Sequence, residues 1–360
     1  MPLSFTSLEL PAVADFHVHL RDGDMSVAVV PTIRQGGVNQ VYVMPNLVPP
    51  VTTVKMALDY KARLQAIDSS IDYLMTRLIT LYLHESITPE VVREAKKAGI
   101  VGIKSYPAGV TTNSSSGVIS YEPFYPVFKA MEEEGLVLNL HGECPSDHKQ
   151  GITILNAEAS FLPTLKSIHE KFPKLKIVLE HCTTKDAVEA VRRCGDTVVG
   201  TITSHHLYIL IDDAISDVYC YCKPVAKLPH DRRALLDAVV NSKGKFFLGT
   251  DSAPHDNSAK KGKGNTPAGV FTQPYASQLV LTALEEAIDR GDIAASDVTP
   301  EALQGFLCDY GRAFYGVKDA KSERITLRKG EEVIADSVTG PGIEVINFRR
   351  GKPTWSVEWK

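Results

Sequence analysis

Two histidines stand two residues apart at the end of a short apolar run, in the segment DFHVHLRD at 15–22. In a β-strand this spacing directs both side chains to one face, so His17 and His19 form a candidate pair of metal ligands. Imidazole nitrogen is a common ligand of zinc, and Arg21, two residues further on, could attract an anionic substrate. The pattern predicts a metal-dependent enzyme, although an isolated His-x-His more often caps a strand or faces solvent.

Further candidate ligands directly follow apolar, β-branched runs along the chain. They are Lys104, His141, His181 and Asp251. A lone histidine in such a place is usually a hydrogen-bonded structural residue, and a lone lysine is usually a surface residue. Four histidines and an aspartate, all at the ends of predicted strands, are hard to explain in that way. The histidines to which we assign a structural role are His84, His148, His169 and His230.

The elements that must position these residues are eight short runs that read as strands. They lie at 13–18, 40–44, 78–83, 99–103, 136–140, 176–179, 197–202 and 245–248. Helical patterns separate most of them, and Thr88-Pro89-Glu90 marks one helix start. Alternating strands and helices predict an α/β protein of the (β/α)8 TIM-barrel class, in which residues at the carboxyl ends of strands converge on one site. An open doubly wound sheet is the alternative, but no glycine-rich phosphate loop follows the first strand.

Two other segments carry expectations of their own. Residues 320–360 contain short alternating stretches, which predict a strand-rich C-terminal extension packed on a single barrel domain spanning 1–360. The polar, lysine-rich segment 257–265 reads as a solvated surface loop at the rim of the catalytic face.

Composition excludes several classes of function. The chain has 360 residues, 44% of them hydrophobic, and a formal net charge of −4, so neither nucleic acid nor an anionic membrane is an expected partner. No signal peptide or membrane anchor is evident at the N-terminus. The six cysteines lack a Cys-x-x-Cys pair, which favours a cytoplasmic location. Cys220-x-Cys222 could ligate a metal, but no second sulfur pair completes a tetrahedral site.

Seven motifs, taken in order, resemble those of the dihydroorotase family, in its monofunctional single-domain (class II) type within the amidohydrolase superfamily. They are DFHVHLRD at 15–22, MPN at 44–46, KSYP at 104–107, TTNS at 111–114, HGE at 141–143, EHCTTKD at 180–186 and GTDSAPH at 249–255. The resemblance runs from about residue 13 to the closing WSV at 355–357.

The resemblance implies a binuclear zinc centre. His17, His19 and Asp251 would hold one Zn²⁺, and His141 and His181 would hold the second. Lys104 would bridge the two ions as N6-carboxylysine, together with a hydroxide. A free lysine ammonium is a poor neighbour for two dications, whereas a carbamate is an anionic bidentate ligand.

The resemblance also implies the reaction and the substrate contacts. N-carbamoyl-L-aspartate would close reversibly to L-dihydroorotate in pyrimidine (UMP) biosynthesis, with Asp251 as general acid and base. The residues expected to bind the substrate carboxylate are Arg21, Asn46 and His255. Those expected around the pyrimidine ring are Lys223 through its main chain, Ala268 and Gly269. Thr111 and Thr112 lie in a hydroxyl-rich segment, 110–117, that could close over the substrate or be a flexible linker. The resemblance also implies a homodimer.

Two rival functions remain open at this point. Another cyclic amidohydrolase, such as a hydantoinase or allantoinase, could use the same metals, but Arg21, Asn46 and His255 suit an acidic substituent. A non-catalytic scaffold built on the same barrel would be expected to lose ligands, and all six ligand positions are present.

Overall fold

The computed structural model describes residues 3–73, 80–317 and 322–360. Its strands are β1 (Ser7–Pro11), β2 (Val13–Val18), β3 (Val38–Val43), β4 (Leu81–Tyr82), β5 (Gly102–Ser105), β6 (Val137–His141), β7 (Lys176–Glu180), β8 (Val198–Ile202), β9 (Phe246–Leu248), β10 (Arg324–Val333), β11 (Ser337–Gly340), β12 (Ile343–Ile346) and β13 (Pro353–Trp359). Its helices are α1 (Asp24–Val29), α2 (Val54–Ile67), α3 (Pro89–Lys97), α4 (Tyr125–Glu134), α5 (Ala157–Lys171), α6 (Lys185–Arg193), α7 (Ile211–Ser216), α8 (Pro229–Val240), α9 (Asn257–Lys261), α10 (Ala276–Asp289), α11 (Pro300–Gln304) and α12 (Tyr310–Tyr315). Among these described helices, none has the length and apolar character needed to cross a membrane.

Eight parallel strands, β2 to β9, form the barrel that the sequence predicts. Strands β4 to β9 pair in chain order in one sheet, and β2 pairs with β3. The ring closes where Val18, at the end of β2, bridges to Ser252 after β9, and where the Asp251 amide donates to the carbonyl of His17 at 2.8 Å. Between β3 and β4, Thr80 donates its hydroxyl to the carbonyl of Val43 at 2.9 Å. The predicted TIM-barrel class is confirmed.

Because of a register shift in β2, the side chains of two consecutive residues, Phe16 and His17, both reach the barrel interior. The pairing with β3 shifts between Asp15 and Val18. Phe16 packs against Phe247 with ring centroids 5.3 Å apart, in the apolar floor of the barrel. His17 also reaches the interior, above that floor, and contacts Glu180 of β7. Such irregularities re-aim side chains next to active sites.

Strand limits differ from the sequence prediction at two places that concern the site. The predicted strand at 99–103 is displaced to Gly102–Ser105, so Lys104 lies within a strand and not after it. Of the predicted strand at 78–83, residues 78 and 79 lie outside the described residues, and β4 covers Leu81–Tyr82. The parallel registry of β5 with β6 places Lys104 beside Asn139, which is inside the barrel.

Strands from the two ends of the chain form a sheet outside the barrel. Strand β10 pairs antiparallel with β1 on one side and with β13 on the other, while β11 and β12 form a hairpin. Trp355 of β13 is 1% exposed and donates its indole N–H to Glu285 of α10 at 3.1 Å. The C-terminal strands therefore pack on a barrel helix.

Candidate active site

Three of the sequence-predicted ligands converge at the carboxyl end of the barrel. Asp251 Oδ1 lies 3.0 Å from His19 Nε2 and 3.3 Å from His17 Nε2, and all three residues are buried. Burial opposes the charge on Asp251, but the hydrogen bonds and positive potential of the two imidazoles hold its pKa well below the usual value. Burial lowers the pKa of His19 to about 4. A carboxylate and two imidazoles that can be neutral are suitable ligands for zinc.

The other three predicted ligands complete the same cluster. The rings of His141 and His181 are 4.6 Å apart, and the His181 ring is 5.1 Å from that of His17. Lys104 is 0% exposed, and its Nζ has no hydrogen-bond partner among the described residues, as is true of His181 Nδ1. Burial lowers the pKa of Lys104 to about 8. Buried polar atoms without partners are rare in proteins, so these two nitrogens are candidates for binding an ion or carrying a covalent group.

The backbone at two ligands adopts a conformation that side chains rarely take. His181 has φ 41° and Asp251 has φ 48°. The left-handed region costs a non-glycine residue of the order of 1–3 kcal/mol, and such strain concentrates at functional sites. His181 directly follows β7 and Asp251 lies three residues after β9, so both side chains are at the barrel mouth.

Two glutamates, to which sequence analysis assigned no role, orient the ligands. Glu180 Oε2 is 2.9 Å from His17 Nδ1 and also accepts from Thr201 at 2.6 Å, while Oε1 accepts from Asn139 at 2.6 Å. Glu143 Oε2 is 2.7 Å from His141 Nε2. Carboxylates that hold the second nitrogen of a ligating histidine fix its tautomer and raise its basicity. The sequence does indicate these glutamates by their position, because each lies within two residues of a predicted ligand.

The predicted carboxylate-binding residues line one wall of the site. Arg21 donates from Nε to the carbonyl of Pro254 at 3.1 Å, and its Nη2 lies 3.3 Å from His255 Nε2. Burial and the nearby guanidinium lower the pKa of His255 to about 3. Asn46 Oδ1 accepts from His19 Nδ1 at 2.7 Å, so Asn46 also orients a ligand. This orientation leaves His19 Nε2 facing Asp251.

The segment 110–117 lies closed over the site. Thr112 donates to the carbonyl of Ala268 at 3.4 Å, and its own carbonyl accepts from Asn46 at 3.1 Å. Lys223, which the sequence analysis expected to act through its main chain alone, donates from Nζ to the carbonyl of Val110 at 2.7 Å. The cavity beside the ligand cluster is only about 20 Å³, which is room for one or two waters.

The residues that line this cavity include most of the sequence-predicted site. They are His17, His19, Arg21, Asn46, Tyr106, Thr111, Thr112, His141, His181, Lys223, Asp251, Ala253, Ala268 and Gly269. Tyr106 and Ala253 were not predicted as site residues. Two predicted residues, Lys104 and His255, do not line the cavity themselves but contact residues that do. Lys104 Nζ lies 4.9 Å from the centre of the Tyr106 ring, and His255 contacts Arg21.

The expectation that 257–265 is a solvated loop is wrong in two respects, because Asn257–Lys261 form the helix α9 and Lys260 is buried. Lys260, in α9, is buried and donates from Nζ to the carbonyls of Pro267 and Gly269, each at 2.9 Å, and of Tyr221 at 3.3 Å. Burial lowers its pKa to about 8. Lys260 thereby joins the two segments that were expected to surround a substrate ring. The sequence hid this role because the neighbouring residues 261–265 are exposed.

Comparison with known proteins places this site in a family. A family model described as amidohydrolase matches residues 62–205. A probable dihydroorotase of Schizosaccharomyces pombe is 50% identical over 98% of this chain and 100% of its own length. The chain belongs to the dihydroorotase family. A crystal structure of dihydroorotase from Saccharomyces cerevisiae in complex with 5-fluoroorotic acid matches with a TM-score of 0.90 and 42% identity, over 99% of each chain.

Membership of the dihydroorotase family confirms the assignment made from the motifs. The chain is a hydrolase of cyclic amides, with the dihydroorotase function in pyrimidine biosynthesis, and enzymes of this family are metal-dependent. An L-hydantoinase from Arthrobacter aurescens shares the fold, with a TM-score of 0.71 over 96% of this chain and 87% of its own. At 17% identity this likeness concerns the barrel alone.

The contacts of Glu180 generate a prediction about metal affinity. Glu180→Gln should weaken zinc binding about 10- to 100-fold, because the amide no longer supplies the negative charge that supports His17. Competition with a chelator measures this affinity. Glu133→Gln, on an exposed face of α4, is the matched control and should bind zinc as the wild type does. Wild-type affinity in Glu180→Gln would contradict the orienting role.

Proposed function

We propose that this chain interconverts N-carbamoyl-L-aspartate and L-dihydroorotate at the site described above. The observation that carries the proposal is the juxtaposition of a six-residue ligand cluster with Arg21 and His255. The cluster suits metal-assisted hydrolysis, and the adjacent Arg21 guanidinium suits a substrate that keeps a free carboxylate beside the reacting ring amide.

We propose that the site holds two zinc ions. His17, His19 and Asp251 would hold one, and His141 and His181 the other. His181 Nδ1 and Lys104 Nζ, which have no hydrogen-bond partner within the described part of the chain, support this fit, as do the glutamates that contact His17 and His141. When bound, a pair of such ions supplies an activated water and polarises the carbonyl that is attacked.

Lys104 would join the two ions as N6-carboxylysine. Its amine is enclosed, has no hydrogen-bond partner among described residues, and has a lowered pKa, so the neutral form that reacts with carbon dioxide is accessible near neutral pH. Carboxylation replaces a buried positive charge by an anionic group with two oxygen ligands. This change removes the repulsion that a lysine ammonium would exert on two dications.

Asp251 would carry the proton in the reaction. Its Oδ1 faces both imidazoles, which leaves Oδ2 to accept a proton from the attacking water. In the hydrolytic direction the bond between the ring carbonyl carbon and the ring nitrogen breaks, and Asp251 returns the proton to that nitrogen. Cyclisation is the reverse, with loss of water.

Arg21, Asn46 and His255 would bind the substrate carboxylate. His255 Nε2 lies near both an Arg21 donor and the carbonyl of Ala268, at 2.9 Å from the latter. In a neutral imidazole, Nε2 cannot both accept a hydrogen bond from Arg21 and donate one to the carbonyl of Ala268. A carboxylate oxygen placed between Arg21 and His255 would accept hydrogen bonds from both side chains. The ring would then rest against Lys223, Ala268 and Gly269, with Thr111 and Thr112 closing above it.

The proposal extends to organisation and location. Residues 1–360 would form one barrel domain, with 320–360 as its extension. All six cysteines are free, which supports a reducing, cytoplasmic location. A homodimer is proposed on the family resemblance.

Turnover of L-dihydroorotate by the zinc-loaded protein, with hydantoin and dihydrouracil as uncharged comparison rings, tests this function. We expect selective hydrolysis of dihydroorotate. Arg21→Met should raise KM for dihydroorotate about 10-fold or more, since a charge-assisted pair is worth roughly 1.5–3 kcal/mol. Preference for the uncharged rings would instead indicate a hydantoinase, and an unchanged KM in Arg21→Met would assign the carboxylate to another residue.

The role of Asp251 has a separate test. Asp251→Asn keeps the size of the side chain but cannot accept the proton, so kcat should fall at least about 100-fold. Circular dichroism and metal content of the variant separate loss of the proton acceptor from loss of folding or of zinc. Near-normal turnover by a folded, metal-loaded Asp251→Asn protein would refute the role.

A further inference from the structure

A second group of buried metal-ligating side chains lies outside the six-residue cluster. His205 and His206 follow β8, and Cys222 precedes the segment that carries Lys223. Their exposed fractions are 0%, 2% and 1%, and one potential ligand atom from each lies within 4.8 Å of the others. We call these three residues the His-His-Cys triad. The sequence pattern shows only Cys220-x-Cys222, because His206 and His205 lie sixteen and seventeen residues before Cys222.

His205 is the member that needs an explanation. Neither of its ring nitrogens has a hydrogen-bond partner among the described residues, although the ring is fully buried. At least one nitrogen of an imidazole bears a hydrogen, and leaving both nitrogens unpaired costs the desolvation of a donor and an acceptor. Burial lowers the pKa of His205 to about 4, so its ring is neutral at physiological pH and keeps a lone pair for a cation.

The separation of Cys222 from His206 matches that of two ligands in a tetrahedral zinc-type site. Cys222 Sγ lies 3.4 Å from His206 Nε2. Bond lengths of about 2.3 Å to sulfur and 2.0–2.1 Å to nitrogen, at a tetrahedral angle, give a separation of about 3.5 Å. The carbonyl of Pro224 lies 3.1 Å from the same nitrogen and 3.3 Å from the same sulfur, so a fourth ligand oxygen is at hand.

His206 is also oriented in the way that ligating histidines usually are. Its Nδ1 lies 2.8 Å from the hydroxyl of Thr203, which is buried. A hydrogen bond from Nδ1 to that oxygen turns the lone pair of Nε2 towards Cys222. A purely hydrogen-bonded cluster, with the thiol donating to Pro224, would satisfy His206 and Cys222 but would leave His205 without a partner.

We propose that the His-His-Cys triad is a further metal site, selective for a thiolate-binding cation of the zinc class and separate from the binuclear centre. Binding of the cation releases the Cys222 proton and forms a metal–thiolate bond. Because Lys223 adjoins Cys222, this site would hold in place the segment expected beside the substrate ring.

Cobalt substitution distinguishes this site from the binuclear centre, whose proposed ligands include no thiolate. The metal-free full-length protein is titrated with Co²⁺, and the near-ultraviolet thiolate-to-cobalt charge-transfer band is followed. We expect this band in the wild type and in Cys220→Ser, a matched control two residues away. It should be absent in Cys222→Ser, which should also bind about one ion fewer per chain by elemental analysis.

His205→Gln provides a second variant in case Cys222→Ser does not fold. It should weaken the affinity measured from the band at least about 10-fold, because an amide is a poor ligand for this class of ion. No band in the wild type, or a band that persists in Cys222→Ser, would overturn the proposal. A band in protein that is inactive on dihydroorotate would support this site while contradicting the proposed function, so the two can fail separately.

Discussion

The arrangement of the site depends on the buried amine of Lys104, whose positive charge would be costly to desolvate. This amine is fully buried inside the barrel, without a hydrogen-bond partner among described residues, and, in addition to burial, its charge would lower the pKa of both His141 and His181. An ammonium here would pay a large desolvation penalty, which its lowered pKa reflects. Asp251 and Glu180 oppose that penalty only in part. The proposed conversion of the amine to a carbamate, with cations beside it, would remove that penalty and would give the histidines and the aspartate a common partner.

The barrel makes that arrangement possible by bringing together residues that are distant in sequence. His17 and Asp251 meet where the barrel closes, between β2 and the residues after β9. The Asp251 amide donates to the carbonyl of His17, and the two side chains are also in contact. A register shift in β2 and left-handed backbone at His181 and Asp251 then aim the side chains. These local departures from regular geometry are stabilised by the closed ring of strands around them.

The barrel class could be predicted from sequence alone, and the structure brings the six predicted ligands and Arg21 together at the carboxyl end of the barrel. This prediction was possible because strand ends are visible in the apolar pattern and converge in a parallel barrel. Sequence analysis did not identify the roles of Glu180, Glu143 or Lys260. Those roles depend on contacts between separate strands and loops, such as Lys260 with Tyr221, and no local pattern encodes them. The partnering of His205 with Cys222 was missed for the same reason.

The most direct test of this account asks whether Lys104 carries a carbamate. The metal-free protein is reconstituted with Zn²⁺ in isotopically labelled bicarbonate and studied by carbon NMR. The account predicts a carbamate resonance that disappears in Lys104→Gln and persists in Lys227→Gln, a control at another buried lysine. An active, zinc-loaded wild-type protein without a carbamate resonance would contradict it.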